Sequence, residues 1–262
     1  MKGFPSRHYV TFRSLHDAPL TVAARLMVPA ADAPAPAVIL LHGSAGPSSR
    51  EAGYAKALHA AGFATLEPDQ WSCRGLAGGS QGRPATVAET LPDLYGARAF
   101  LASRPGIDPA RIGVAGFSFG GVATMLAATR AANDRFLPGG RFAALMAVYP
   151  ACWTYNVVPG HEFSGLADAP LLLATGALDQ YDDDPDAGPK LAAGLAAADR
   201  AKIRTHVFAG AHHCFDMPGV DVVVQDPMSH RGRGGSVVMR HNPQAAAEAH
   251  ALCVAFFSRS MR

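Results

Sequence analysis

The chain has 262 residues, 49% of them hydrophobic, so it is long enough to bury a substantial core as one domain. Its 23 basic and 21 acidic residues give a formal net charge of +2, which creates no strong field for nucleic acid or for a membrane surface. The absence of an 18-residue apolar run argues against a transmembrane helix.

The N-terminal segment and the cysteines indicate the compartment. The N-terminus, MKGFPSRHYVTFRS, lacks the apolar core of a secretory signal. The cysteines are scattered without any C-x-x-C pair, as is typical of free thiols in a reducing compartment. We therefore expect one domain over residues 1–262, located in the cytoplasm.

Strands alternate with helices along most of the chain. Strands are predicted at residues 9–12, 21–28, 38–41, 63–66, 112–115, 142–148, 171–175 and 204–208. Helices are predicted at residues 50–61, 86–102, 122–128, 188–198 and 244–258, with Gly62 ending the first and Pro92 breaking the second. Several of these strands are uniformly apolar, which favours an α/β fold with a mainly parallel central sheet covered by helices on both faces.

Residues 116–120 read Gly-Phe-Ser-Phe-Gly and fit the pattern Gly-x-Ser-x-Gly. An apolar strand precedes Ser118 and a helix follows it. A sharp turn between a strand and a helix needs small neighbours, which Gly116 and Gly120 supply. The pattern predicts an exposed serine hydroxyl above the sheet, in the position of a nucleophile.

A serine hydroxyl becomes a good nucleophile only when a histidine takes its proton and an acid orients that histidine. On this type of sheet the acid and then the histidine should follow the serine, each after a strand. Asp179 follows the strand at 171–175, and the pair His212 and His213 follows the strand at 204–208. We expect Asp179 to be the acid and one of the two histidines to be the base.

An acyl-transfer intermediate also needs two backbone N–H donors for its oxyanion. The N–H of Phe119, at the start of a helix, is one candidate. The second is expected from the glycine-rich loop after residues 38–41, where Ser44 is preferred and Gly43 is the neighbouring alternative.

These stretches resemble the dienelactone hydrolase family within the α/β-hydrolase fold, from about Val38 to Phe257. The resemblance is carried by LLHGSAG, GFATLEPDQW, DPARIGVAGFSFGG, PLLLATGALDQ and FAGAHHCFD. The family places its histidine in a segment like Ala-x-His-x-Phe, so the resemblance selects His213 over His212. It also implies Asp179 as the acid, with Ser44 and Phe119 as the oxyanion donors.

The chain departs from the family at positions that concern the substrate. The enzymes that name the family use a cysteine nucleophile where this chain has Ser118. Their arginine after the histidine is replaced by Met217, and Arg74 could supply another anchor for a substrate carboxylate. Trp71 and Trp153 lie on loops expected at the mouth of the site and are further candidates for substrate binding.

The residues together favour a serine hydrolase that cleaves carboxylic esters or lactones through an acyl-enzyme and needs no cofactor and no metal. An acyltransferase with the same intermediate and a non-catalytic ligand-binding relative are the alternatives. The expected partner is a small ester or lactone, without nucleic acid or membrane. The long glycine-rich segment at residues 216–242 is interpreted as a partial lid or a mobile surface loop.

Overall fold

The computed structural model describes residues 6–262, so the first five residues of the predicted domain and of the N-terminal segment lie outside it. The central sheet has eight strands in the order β1-β2-β4-β3-β5-β6-β7-β8. Their bounds are β1 Ser6–Arg13, β2 Thr21–Val28, β3 Ala35–Leu41, β4 Ala64–Asp69, β5 Ile107–Phe117, β6 Leu145–Val148, β7 Leu171–Gly176 and β8 Ile203–Phe208. A separate hairpin pairs β9 Asp221–Asp226 with β10 Gly235–Arg240.

The sheet is parallel from β4 through β3 and β5 to β8, whereas β1 and β2 form an antiparallel pair at one edge. The mainly parallel sheet confirms the prediction from the apolar strands, and the architecture is the α/β-hydrolase fold that the resemblance implies. The carboxyl ends of the parallel strands lie at one edge of the sheet, and ligands of such folds bind there.

Helices cover both faces of the sheet. Their bounds are α1 Ser49–Ala60, α2 Leu91–Ala102, α3 Phe119–Ala127, α4 Arg130–Phe136, α5 Ala187–Ala193, α6 Ala197–Arg200, α7 Ser229–Gly232 and α8 Pro243–Ser260. Ile39 and Leu41 of β3 face the apolar core under α2 and α3, and Val38 and Leu40 face the core under α1 and α8. Within the described residues, no helix is both long and apolar enough to span a membrane.

Three segments differ from the pattern expected from the sequence. Pro92 lies in the first turn of α2, where its missing N–H costs no hydrogen bond, and the preceding residues Val87–Thr90 form a short 3₁₀ helix. The helix expected at 188–198 ends at Gly194 and resumes as α6. The β9–β10 hairpin occupies most of residues 216–242, for which the sequence indicates a partial lid or a mobile surface loop.

Candidate active site

Ser118 lies at the turn between β5 and α3. Its backbone has φ 53° and ψ −115°, a conformation that residues with a side chain rarely adopt. A Cβ on Gly116 would overlap the carbonyl oxygen of Gly120, and a Cβ on Gly120 would overlap the carbonyl oxygen of Leu41. Both positions therefore require glycine, and the turn holds the serine hydroxyl above the carboxyl end of the sheet.

Three side chains that follow three different strands are joined by hydrogen bonds. The hydroxyl of Ser118 lies 2.9 Å from Nε2 of His213, and Nδ1 of His213 lies 2.8 Å from Oδ2 of Asp179. Because a carboxylate only accepts, Nδ1 carries the proton and Nε2 is free to accept from the hydroxyl. The other oxygen of Asp179 accepts the backbone N–H of Tyr181 at 2.9 Å. This is the geometry of a Ser-His-Asp triad.

His213 is only 1% exposed, and its imidazole packs against two aromatic rings. The rings of Tyr181 and Tyr149 have centroids 4.3 Å and 4.7 Å from that of the imidazole. Such packing fixes the orientation of the imidazole. The neighbouring His212 is half-buried. Within residues 6–262, Ser118 is hydrogen-bonded to His213 and not to His212.

Two backbone N–H groups lie near the serine. Phe119 is the first residue of α3, so its N–H has no acceptor within the helix. The loop after β3 lies against the serine, since a Cβ built on Gly43 would be 3.5 Å from Cβ of Ser118. The next carbonyl, that of Ser44, accepts the indole N–H of Trp71 at 2.9 Å, which holds this loop in place. Among the hydrogen bonds of the described residues, none uses the N–H of Phe119 or of Ser44.

A buried polar network ties α1 to the end of β6 and to the loop after β8. Arg50, 2% exposed, donates to Glu51 at 3.1 Å and to the hydroxyl of Tyr149 at 2.8 Å. That hydroxyl donates to one oxygen of Asp216 at 2.5 Å, and the hydroxyl of Tyr54 donates to the other at 2.6 Å. The sequence contains no signal for this network, because an arginine in the first turn of a helix is normally exposed.

A second carboxylate lies beside the acid of the triad. Asp182 is 3% exposed and accepts the backbone N–H groups of Cys152 at 3.1 Å and Trp153 at 2.8 Å. Burial, together with the negative charge of Asp179, raises the pKa of Asp182 to about 6. This part of the loop therefore folds inward, and its carboxylate caps the backbone that follows β6.

The first of two cavities at the serine lies between the loop after β3 and the β9–β10 hairpin. We call it the hairpin lobe; it has a volume of 360 Å³ and its apolar wall includes Val222 and Val224. Ser118, Tyr181 and His213 also line it. Tyr181 was not predicted as a site residue, since its position two residues after Asp179 carries no motif.

The second cavity, which we call the helix lobe, has a volume of 350 Å³ and shares the same three side chains. Its walls include Val87, Val122 and Val158, and Arg83 lies at its border with the loop after β3. A larger groove of 590 Å³ on the antiparallel edge contains no residue of the triad. Within residues 6–262, no three His, Cys, Asp or Glu side chains converge in a group that could hold a metal ion.

The three residues expected to bind substrate line neither lobe. Trp71 is 2% exposed and donates its indole N–H to the loop after β3. Arg74 forms an ion pair of 2.8 Å with the buried Asp93. Trp153 lines a separate cavity of 150 Å³. The structure therefore corrects the expectation that these side chains face the substrate, because each is engaged in contacts within its own part of the fold.

Comparison with known proteins shows the family of the chain. Residues 22–261 match the sequence model of the dienelactone hydrolase family. The chain belongs to this family. Membership makes it a hydrolase of small molecules, as the resemblance of its motifs implies. No curated protein matches the chain.

Solved structures with the same fold include a dienelactone hydrolase from Anabaena variabilis, with 19% identity and a TM-score of 0.67 over 99% of this chain and 100% of that one. Esterase 2 of Thermogutta terrifontis, phosphorylated by paraoxon, has 16% identity and a TM-score of 0.66 over 98% and 95%. An esterase from Pyrococcus furiosus has 16% identity and a TM-score of 0.63 over 98% and 94%. At these identities the similarity concerns the fold.

Proposed function

We propose that this chain hydrolyses carboxylic esters or lactones through a covalent acyl-enzyme on Ser118. The observation that carries the proposal is the pair of hydrogen bonds, 2.9 Å and 2.8 Å long, that joins Ser118 to His213 and His213 to Asp179. His213 is in position to act as a base for the hydroxyl of Ser118, and Asp179 fixes the tautomer of His213.

In the first half of the reaction, Oγ of Ser118 attacks the carbonyl carbon of the ester while Nε2 of His213 takes the hydroxyl proton. The carbonyl oxygen becomes an oxyanion, which the N–H groups of Phe119 and Ser44 stabilise as hydrogen-bond donors. When the intermediate collapses, the bond to the leaving oxygen breaks and His213 returns the proton to that oxygen. Asp179 stabilises the imidazolium that forms between these two proton transfers.

In the second half, water replaces the departed alcohol. Nε2 of His213 takes a proton from the water as its oxygen attacks the acyl carbon. The bond to Ser118 then breaks, and the serine recovers its proton as the acid is released. The groups of the triad and one water molecule account for every bond and every proton.

Covalent labelling and turnover test the proposal together. Paraoxon and a fluorophosphonate should each modify the wild-type chain at Ser118, and p-nitrophenyl acetate should be hydrolysed. Ser118→Ala should lose the label and lower kcat by roughly 10⁴-fold or more, while its circular dichroism spectrum remains that of the wild type. Retained turnover in this variant would refute the assignment of the nucleophile.

The two adjacent histidines provide a matched pair for the base. His213→Ala should lower kcat by roughly 10⁴-fold, whereas His212→Ala should change it by less than about threefold, since only His213 bonds the serine. The reverse result would assign the base to His212.

Product analysis separates hydrolysis from the alternative reactions. With an added alcohol, we expect the free acid to remain the main product; predominant transfer to the alcohol would indicate an acyltransferase. A chain that neither takes the label nor turns over any ester would be a non-catalytic relative.

A further inference from the structure

The two lobes meet at the reacting atom, and their sizes are nearly equal. The hairpin lobe measures 360 Å³ and the helix lobe 350 Å³, and Ser118 borders both. At about 30 Å³ for a group the size of a water molecule, each has room for roughly ten heavy atoms. An ester carbonyl bound at Ser118 extends in two directions, toward its acyl chain and toward its leaving oxygen. Two lobes at one serine fit these two directions.

The wall of the hairpin lobe is built by the alternation of side chains along β9. Val222 and Val224 line the lobe, and Met239, which pairs with Val222 across the hairpin, lies on the same face. Val223, between them, projects to the opposite face and is 65% exposed, against 47% for Val222 at the open side of the lobe. The lobe thus presents a hydrocarbon surface, and β9 supplies a matched position that does not reach it.

The charged groups at the hairpin lobe already have partners. Arg50 pairs with Glu51 at 3.1 Å. Asp226 accepts the hydroxyl of Tyr181 at 2.9 Å and the backbone N–H of Met228 at 2.8 Å. A carboxylate placed in this lobe would lose its hydration without gaining a free cation, which is costly.

The hairpin lobe is assembled without closure of a lid. The backbone of Met239 forms a parallel bridge with that of His213, so β10 is paired directly with the backbone of the base. The hydrogen bond from the hydroxyl of Tyr181 to Asp226 links the end of β9 to the loop that carries Asp179. Both sides of the hairpin are therefore anchored to the triad.

We propose that the substrate is an ester that spans both lobes, with an uncharged hydrocarbon group in the hairpin lobe and the group on the other side of the carbonyl in the helix lobe. This inference depends on the proposed function, because the carbonyl is placed by Ser118. It makes Val222 and Val158 specificity residues for opposite sides of one substrate.

Two substrate series test the inference. In one, the acyl chain of p-nitrophenyl esters grows from two to eight carbons; in the other, the alcohol chain of acetate esters grows over the same range. Val222→Ser should lower kcat/KM for the longest member of one series by about tenfold, and Val158→Ser should do so in the other series. The control Val223→Ser should change neither by more than about twofold, since its side chain points away from the lobe.

Charge gives a second measurement in the same series. In the series that Val222→Ser affects, a terminal carboxylate should lower wild-type kcat/KM by at least about tenfold relative to a terminal methyl group. The inference is overturned if Val222→Ser and Val158→Ser act on the same series, if Val223→Ser acts like Val222→Ser, or if the carboxylate is accepted equally. If Ser118 is labelled and short esters are hydrolysed, but chain length has no effect on kcat/KM, only this inference is overturned. Failure of labelling and of all turnover would overturn the proposed function as well.

Discussion

Asp182→Asn tests how the buried carboxylate beside the triad couples folding to pH. Its pKa is raised from 3.8 to about 6 in the folded chain, so the native state holds this proton more tightly than the unfolded state does. The stability it contributes is present below pH 3.8 and is lost as the pH rises through about 6. At about 1.4 kcal/mol per pKa unit, the full effect is roughly 3 kcal/mol. Of this, roughly 1.4 kcal/mol falls between about pH 5 and pH 8.

Equilibrium urea unfolding of the wild type and of Asp182→Asn at several values between about pH 5 and pH 8 measures this contribution, because asparagine does not titrate. The wild type should lose roughly 1.4 kcal/mol relative to the variant as the pH rises over this range. Asp184→Asn is the matched control: the ammonium group of Lys190 lowers the pKa of Asp184 from its usual 3.8, so this carboxylate stays ionised over the whole range and its variant should run parallel to the wild type. Parallel curves for the wild type and Asp182→Asn would refute the reasoning.

Two further predictions concern the scaffold of the site. Arg50→Met leaves the charge of Glu51 buried without its partner, so the free energy of unfolding should fall by roughly 3–5 kcal/mol and Tm by about 5–9 °C in calorimetry. Adding Glu51→Gln should recover part of this loss; strictly additive effects would show that the pair is not coupled. Gly120→Ala should destabilise the chain by at least about 1–3 kcal/mol and abolish ester turnover, because its Cβ meets the carbonyl of Leu41. Gly106→Ala, whose Cβ would have its nearest neighbour at 3.8 Å, should change stability by less than about 0.5 kcal/mol; an equal loss would exclude the clash as the cause.

The mainly parallel sheet and the placement of three polar side chains are both accessible from the sequence. Ser118, Asp179 and His213 each follow an apolar strand, and the carboxyl ends of parallel strands share one edge of the sheet. Their convergence is therefore a consequence of topology and does not depend on the path of any long loop.

Features that depend on loops and on distant contacts are not accessible in this way. The segment Asp221–Asp226 reads DVVVQD, in which three consecutive valines hide the alternation of a strand with one exposed face. The glycines at residues 232, 234 and 235 then suggest a mobile loop where a hairpin forms. Trp71 is of a residue type that often lines pockets. Here it is buried, because its indole N–H donates to the carbonyl of Ser44, 27 residues earlier in the chain.

The buried ion pair of Arg50 is better explained by geometry than by stability. Ser118, Tyr149 and Cys214 have positive φ, at 53°, 40° and 58°, although none of them is glycine. Each such conformation costs about 1–3 kcal/mol and persists only where its surroundings hold it. Arg50 donates to the hydroxyl of Tyr149 and lies 3.7 Å from the sulfur of Cys214, so one guanidinium holds two of them. Hydrocarbon side chains could fill this volume at equal or better stability, but they have no directional contacts. The guanidinium of Arg50 therefore lies where it can hold the strained backbones of Tyr149 and Cys214, the two residues next to His213, in one conformation.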